Sequence, residues 1–319
     1  MKRSDFPLKV VFMGSPRFAV LSLEKLLTNS DFEVRAVYCM PDKPQGRGKK
    51  MEMTPVKQLS LERGIPVNTP TSFLRVPEEI NKLKAYDPDL LVVVAYGLIL
   101  PQSALKIPKL SSINLHGSIL PRYRGPSPIH AALMNGDSET GNTVMLMNEK
   151  MDEGDILAVE KYAIPNEFSF NQLHDLMSAS GAELLSRTLL DFASGNIVPT
   201  PQDHSRASYT SKVTTETAKI DFQNSANAIE RLIRAMNPSP GAWFLCGGER
   251  IKIGKARTAT LNGNFPPTTV INADPLKGLS IVCGNKTILE PLALQRPGKQ
   301  MIPVADFLRG FSFQGKLIS

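Results

Sequence analysis

A doubly wound α/β domain followed by a small β-barrel is the fold class that this 319-residue sequence predicts, on three observations. Through the first two hundred residues, short apolar runs alternate with helical spacings, the pattern of βαβ units. One run, "DLLVVVAYG", is apolar almost throughout, as expected of a central strand covered on both faces. After a stretch rich in Ser, Thr and Pro, the chain breaks into short strands separated by turn signals, which suits a small OB-like barrel.

Each element has its own signal. "LKVVFMG" is the first strand, ending at Gly14. Ser15 stands where it can cap a helix, and Pro16 fits a first helical position, whose N–H lacks a partner anyway. Val20, Leu23, Leu26 and Leu27 then recur at helical spacing. "EVRAVYCM" is the second strand, and "LERGIPV" closes a helix at Gly64 and opens the third. "DLLVVVAYG", "SSINLHG" and "GNTVMLMN" follow as strands. The run "ASGNIVPTPQDHSRASYTSKVTT" predicts a linker. Beyond it, "SANAIERLIRAMN" is a helix with Ile229, Leu232, Ile233 and Met236 on one side. "AWFLCGGERIKIGKAR" is a hairpin, and "PTTVINA", "GLSIVCG" and "KTILEPLAL" complete the strands. The expected division is a first domain over 1–195, a linker over 196–212 and a second domain over 213–319.

Composition narrows the class further. The chain is 42% hydrophobic and 21% charged, ordinary for a soluble protein with a full core. Its three cysteines, Cys39, Cys246 and Cys283, are too few and scattered for a disulfide framework or a zinc cluster. The N-terminal apolar run is interrupted after "VVFMG" and lacks a small-residue cleavage site, so a first strand is expected there, not a signal peptide. No apolar run has membrane-spanning length, and a cytoplasmic monomer is expected. Residues 206–319 hold 15 Lys and Arg against 7 Asp and Glu, a balance of +8, while the rest of the chain is at −1. Such asymmetry suggests a polyanionic partner, nucleic acid or an anionic membrane, or else a merely soluble basic domain.

"MGSPRF" follows the first strand where a dinucleotide site would have G-x-G-x-x-G, so a nicotinamide or flavin cofactor is disfavoured. Open α/β sheets bind ligands beyond the carboxyl ends of their strands, where Gly14, Gly97 and the Asn114–Gly117 segment fall. Asn114 and His116 are two apart on a strand and share a side. An amide N–H and an imidazole there can stabilise an oxyanion, and the imidazole can move a proton. Alternatively both are satisfied by local hydrogen bonds. The acidic turn "MDEGDIL" supplies a carboxylate partner for the ring in Asp152, Glu153 or Asp155, among which the residues do not choose. "SILP", Ser118 to Pro121, leaves backbone N–H and C=O groups outside regular pairing, open to a flat heteroaromatic ligand. "PDKPQGRGKKMEM" carries Lys43, Arg47, Lys49 and Lys50 on a basic loop able to contact phosphates. It is not a P-loop, no Cys/His cluster has metal spacing, and no activated nucleophile is evident, which favours direct group transfer.

Together "INLHGSILPRYRG" and "MDEGDI" resemble the signatures of the formyltransferases that use 10-formyltetrahydrofolate. "VVVAYGLILP", "PDKPQGRGKK", "SYTSKV" and "RAMNPSPGAW" extend the likeness over nearly the whole chain. Ile119, Phe222 and Ser239 depart from commoner family residues, away from the expected chemistry. The resemblance implies a Rossmann-like formyltransferase domain and 10-formyltetrahydrofolate as co-substrate, with no metal. It implies Asn114 and His116 on the formyl oxygen, His116 assisting the leaving nitrogen and Asp152 holding His116. The Ser118, Ile119, Leu120 and Pro121 backbone would line the folate pocket with Ala95, Tyr96, Gly97 and Leu98. Taken with the basic loop and C-terminal domain, the resemblance implies methionyl-initiator tRNA as acceptor. Lys43, Arg47, Lys49, Lys50 and Lys212 would contact it, the loop residues near its acceptor stem. The competing expectations are an amino sugar nucleotide as acceptor, or an RNA-binding protein without catalysis.

Overall fold

The computed structural model describes residues 7–45 and 50–319. In chain order the elements are β1 (Leu8–Gly14), α1 (Val20–Thr28), β2 (Phe32–Tyr38), β3 (Lys43–Gln45), β4 (Lys50–Glu52), α2 (Pro55–Glu62), β5 (Val67–Asn68), α3 (Glu78–Ala85), β6 (Leu90–Val94), α4 (Gln102–Leu105) and β7 (Ser111–His116). They continue with α5 (Pro128–Asn135), β8 (Glu139–Leu146), β9 (Ile156–Ala163), α6 (Phe170–Ala193), α7 (Ala226–Met236), β10 (Ala242–Cys246) and β11 (Glu249–Thr260). Last come β12 (Val270–Asp274), β13 (Gly278–Cys283), β14 (Thr287–Gln295), β15 (Ile302–Pro303) and α8 (Val304–Arg309). The chain divides into two compact units. The first gathers the chain up to Gly125 with Thr140–Tyr162 and His174–Tyr209; the second holds Pro126–Glu139, Ala163–Leu173 and Thr210–Ser319. Two segments from within 1–195 therefore group with the C-terminal strands.

The first unit is built on a seven-stranded sheet in the order β5-β2-β1-β6-β7-β8-β9. Strands β5, β2, β1, β6 and β7 pair in parallel. All five residues of β6 are buried, as its apolar run demands. Leu91 and Val93 join Val11, Met13, Ala36, Tyr38, Phe73 and Leu83 in one core cluster. The sheet departs from a wholly parallel one at β8, which runs antiparallel to β7, with His116 opposite Thr143 and Ile113 opposite Leu146. The connection over 117–138 re-enters the sheet at the end from which β7 left, so the next strand must run back along it.

One local expectation needs correction. Ser15 caps no helix: a short 3-10 turn begins at Arg17, and the Ser15 hydroxyl donates to Tyr96 O at 2.9 Å and accepts from Met40 N–H at 3.0 Å. It thus ties together loops leaving three neighbouring strands. The 24-residue helix α6 is tied to its neighbours by side chains: the Asn142 amide donates to Met177 O on it and Ser178 on it donates to Phe18 O. Within the stretch over 196–212, Thr200 exchanges backbone hydrogen bonds with Ile156 at 2.8 and 2.9 Å.

In the second unit the sheet order is β10-β11-β14-β13-β12, with β15 beside β14, and these strands pair antiparallel. Gly247 and Gly248, at φ +57° and +81°, make the tight turn between β10 and β11, where side-chain-bearing residues would be strained. Helix α7 starts at Ser225, whose hydroxyl accepts the Ala228 N–H at 3.3 Å. Its Ile229, Ile233 and Met236 are buried with Trp243, Phe244, Ile251, Ile253, Leu289 and Leu294, and Leu232 is partly buried against them. No helix among the described residues is long and apolar enough to cross a membrane.

All three cysteines are buried and free. Burial pushes the thiols of Cys39 and Cys246 up and that of Cys283 up to about 12. Because the thiolate is the reactive form, native protein at pH 8 is expected to leave Ellman's reagent unreduced and to titrate fully only in guanidinium. A fast-reacting native thiol would contradict this.

Candidate active site

Strand β7 lies between β6 and β8, with Asn114 opposite Val93 on one side and Met145 on the other. Asn114 is 8% and His116 6% exposed. The His116 Nε2 lies 2.9 Å from Tyr123 O. A carbonyl only accepts, so Nε2 carries the proton it donates there. Nδ1, on the opposite side of the ring, lies 3.6 Å from Asp152 Oδ2. The same Oδ2 accepts the Gly125 N–H at 2.7 Å.

The structure thus separates the three acids of the turn. Asp152 faces His116; Glu153 Oε1 lies 3.3 Å from Arg124 Nη1; and Asp155 contributes its carbonyl to Leu146 N–H at 2.9 Å. Because β8 is antiparallel, the chain leaves it beside the start of β7, where Met147 N–H donates to Ser112 O. The following loop folds back along β7 to deliver Asp152 to His116. Gly154 allows that close passage: a Cβ there would come within 1.8 Å of Leu146 O.

Ser118, Ile119, Leu120 and Pro121 form the loop directly after the Asn–His strand, but their backbone is less open than the sequence suggested. The Thr143 hydroxyl donates to Ser118 O at 2.7 Å and accepts from Leu120 N–H at 3.2 Å. Ile119 O accepts from Arg122 N–H and Pro121 O from Ser208 N–H. Proline removes one donor and ends the strand pairing, yet β8 and the 200s segment supply substitutes. The carbonyls keep their second lone pairs. The Ala95–Leu98 segment leaves the carboxyl end of β6, with Ala95 at φ +47° and Gly97 at φ +96°, both exposed. Tyr96 is buried, and burial pushes its phenol well above the ordinary value; Leu98 is half-buried.

Lys43 is exposed and borders a cleft of about 340 Å³ also lined by Ser15, Arg17, Met40 and Thr54. Arg47 and Lys49 lie outside the described residues, as does the Lys50 side chain. Lys212 is exposed in the second unit. Among the described residues no group of three or more His, Cys, Asp or Glu could hold a metal ion. The sequence reading missed Tyr123, Gly125 and Thr143. A Thr inside an apolar strand carries no signal, while Gly125 in "RYRGP" could have marked a close backbone approach.

Residues 8–189 match the formyl transferase family and residues 212–312 match the formyl transferase C-terminal domain; the chain belongs to this family. Within it, the methionyl-tRNA formyltransferase of Clostridium novyi (strain NT) is 42% identical over 307 residues, covering 96% of this chain and 98% of that one. The fold is shared with HypX from Aquifex aeolicus, solved with tetrahydrofolic acid, at a TM-score of 0.61 and 19% identity over 97% of this chain. This chain spans about half of that one, 48%. An N-formyltransferase from Helicobacter canadensis, solved with folinic acid and dTDP-3-aminofucose, gives a TM-score of 0.65 at 20% identity, covering 91% of this chain and 99% of its own.

Thr143 is fully buried and bonded on both sides of its hydroxyl. Thr143→Val keeps the shape but strands Ser118 O and Leu120 N–H, and is expected to lower stability by about 1–3 kcal/mol in denaturant unfolding. An unchanged midpoint would show that these groups find other partners.

Proposed function

We infer that the protein transfers the formyl group of 10-formyltetrahydrofolate to the free α-amine of methionyl-initiator tRNA. The observation that carries the reading is the meeting of the His116 ring and the Asp152 carboxylate beside Asn114, at the carboxyl end of a central strand, in a chain 42% identical to a methionyl-tRNA formyltransferase.

In this reading the Asn114 amide and the His116 imidazole donate to the formyl oxygen as negative charge develops there. Nε2 exchanges the Tyr123 carbonyl for the substrate, and such contacts commonly tighten only in the reacting complex. Asp152 holds the ring from its Nδ1 side and takes up, directly or through water, the proton shed by the attacking amine. One N–C bond forms and one breaks, the leaving N10 gains a proton from His116, which is made good by the proton that Asp152 takes from the amine, and tetrahydrofolate departs. The amine attacks in its neutral form, so transfer falls on acidification. The exposed turn over Ala95–Leu98 and the loop of Ser118–Pro121 hold the folate ring, chiefly through carbonyls with spare lone pairs.

Lys43, Arg47, Lys49 and Lys50 engage the acceptor stem, and Lys212 with the basic second unit binds phosphates farther along the tRNA. Support comes from the +8 balance over residues 206–319 and from a second-unit cleft of about 650 Å³ lined by Arg231, Arg234 and Arg257. The organisation proposed is a catalytic domain over 1–195, a connection over 196–212 and a tRNA-binding domain over 213–319 that curls into an OB-like barrel. Strand β11, which passes from β10 to β14 with register shifts between Ile253 and Ala256, gives such a curl its bend. The protein acts in the cytoplasm as a monomer.

Formyl transfer to methionyl-tRNA is expected, and transfer to a dTDP-amino sugar is not; a sugar-only result overturns the assignment. Asn114→Ala, His116→Ala and Asp152→Asn should each lower kcat by roughly 10²-fold or more while tRNA affinity is kept. Unchanged rates in all three would sink the mechanism. Arg47→Ala should weaken tRNA binding and flatten its dependence on salt; equal salt slopes would remove Arg47 from the phosphate contacts.

A further inference from the structure

Arg124 is 1% exposed, which for a permanent charge demands partners on every side. Its Nε and Nη2 donate to Gln202 Oε1 at 3.2 and 2.7 Å, and Nη1 donates to the Tyr209 hydroxyl at 3.0 Å. Nη2 also lies 2.9 Å from His204 Nδ1 and Nη1 3.3 Å from Glu153 Oε1, which in turn accepts from the Tyr209 hydroxyl at 3.1 Å. Four partners therefore come from two places distant in sequence, the acidic turn and residues 202–209.

The Gln202 amide is oriented by this grip. With Oε1 committed to the guanidinium, Nε2 donates to Asp152 O at 2.9 Å and to Gly154 O at 2.8 Å. It clamps the turn on both sides of Glu153. Asp152 has φ +56°, a left-handed conformation that is uncommon for side-chain-bearing residues, though aspartate enters it more readily than most. On the other side, Tyr123 N–H donates to Ser208 Oγ and Arg124 N–H to Ser208 O, which fixes the Tyr123 carbonyl facing His116 and the Gly125 N–H facing Asp152.

We propose that Gln202, locked by Arg124, is a positioning residue for formyl transfer: it holds Asp152 in the backbone conformation that aims its carboxylate at His116. This rests on the function proposed above. Gln202 touches no reacting atom; it acts through Asp152. The segment that the sequence presents as a linker is by this inference a wall of the catalytic site.

The test is a double-mutant cycle of Gln202→Leu with Asp152→Asn, read as kcat and KM for methionyl-tRNA and for the folate. Gln202→Leu alone should lower kcat by about 10- to 100-fold with both KM values nearly unchanged. In the Asp152→Asn background the same change should lower kcat little further, because the group it positions is already disabled. Gln202→Glu, close in shape and still able to accept from Arg124 but unable to donate to the two carbonyls, is the second variant; it should lower kcat by the same factor, so that either variant can be read alone if the other fails to fold. Full activity of Gln202→Leu or Gln202→Glu would overturn the proposal, as would additive losses in the cycle, which mark a merely structural role. Wild-type protein run in the same assay separates the cases: if it transfers no formyl group to methionyl-tRNA, the proposed function itself fails.

Discussion

A carboxylate at the rim of a sheet is ordinarily solvated and free to turn; that of Asp152 is shared between the Gly125 N–H at 2.7 Å and the His116 ring at 3.6 Å. Every other feature of the site follows from keeping it there. Its residue must adopt a left-handed backbone, which costs most side chains roughly 1–2 kcal/mol and aspartate less. A hydrogen bond to a charged group contributes about 1.5–3 kcal/mol, enough to offset that strain. Two further bonds from Gln202 hold the adjoining carbonyls.

The sheet makes this arrangement possible through a single antiparallel strand. Had β8 run parallel to β7, the loop after it would emerge at the same edge as His116 directly. Instead the chain exits beside Ser112 and is drawn back along β7, with Gly154 admitting close contact with Leu146. The loop is therefore pinned at both ends of its return, and buried polar groups such as Thr143 and Arg124 secure its neighbours.

The same fold carries formyltransferases with different acceptors, including one solved with an amino sugar nucleotide. Fold alone does not decide the acceptor. In this chain the excess of Lys and Arg is confined to the last third, and Arg231, Arg234 and Arg257 line one cleft of the second unit beside Asp137 and Glu230. A polyanion is bound by distributed positive charge, so composition bears on the acceptor in a way that sheet topology does not.

Periodicity and punctuation made much of this protein legible from its residues. The continuous apolar run of β6, the helical face of α7 and the paired glycines between β10 and β11 each express local physics, and each is where the pattern put it. Asn114 and His116 were legible as a pair because a strand's two-residue repeat determines which side chains share a face. The acid was not, since Asp152, Glu153 and Asp155 are equivalent within their turn until Arg124 claims Glu153 and the Gly125 N–H and His116 claim Asp152. Ser15 as a bridge between loops, α6, and the docking of residues 200–209 were equally hidden, for each is defined by partners far along the chain. Spacing along a chain determines faces and turns; which distant groups neutralise and hold one another is decided only when burial forces every charge and every N–H to find a partner.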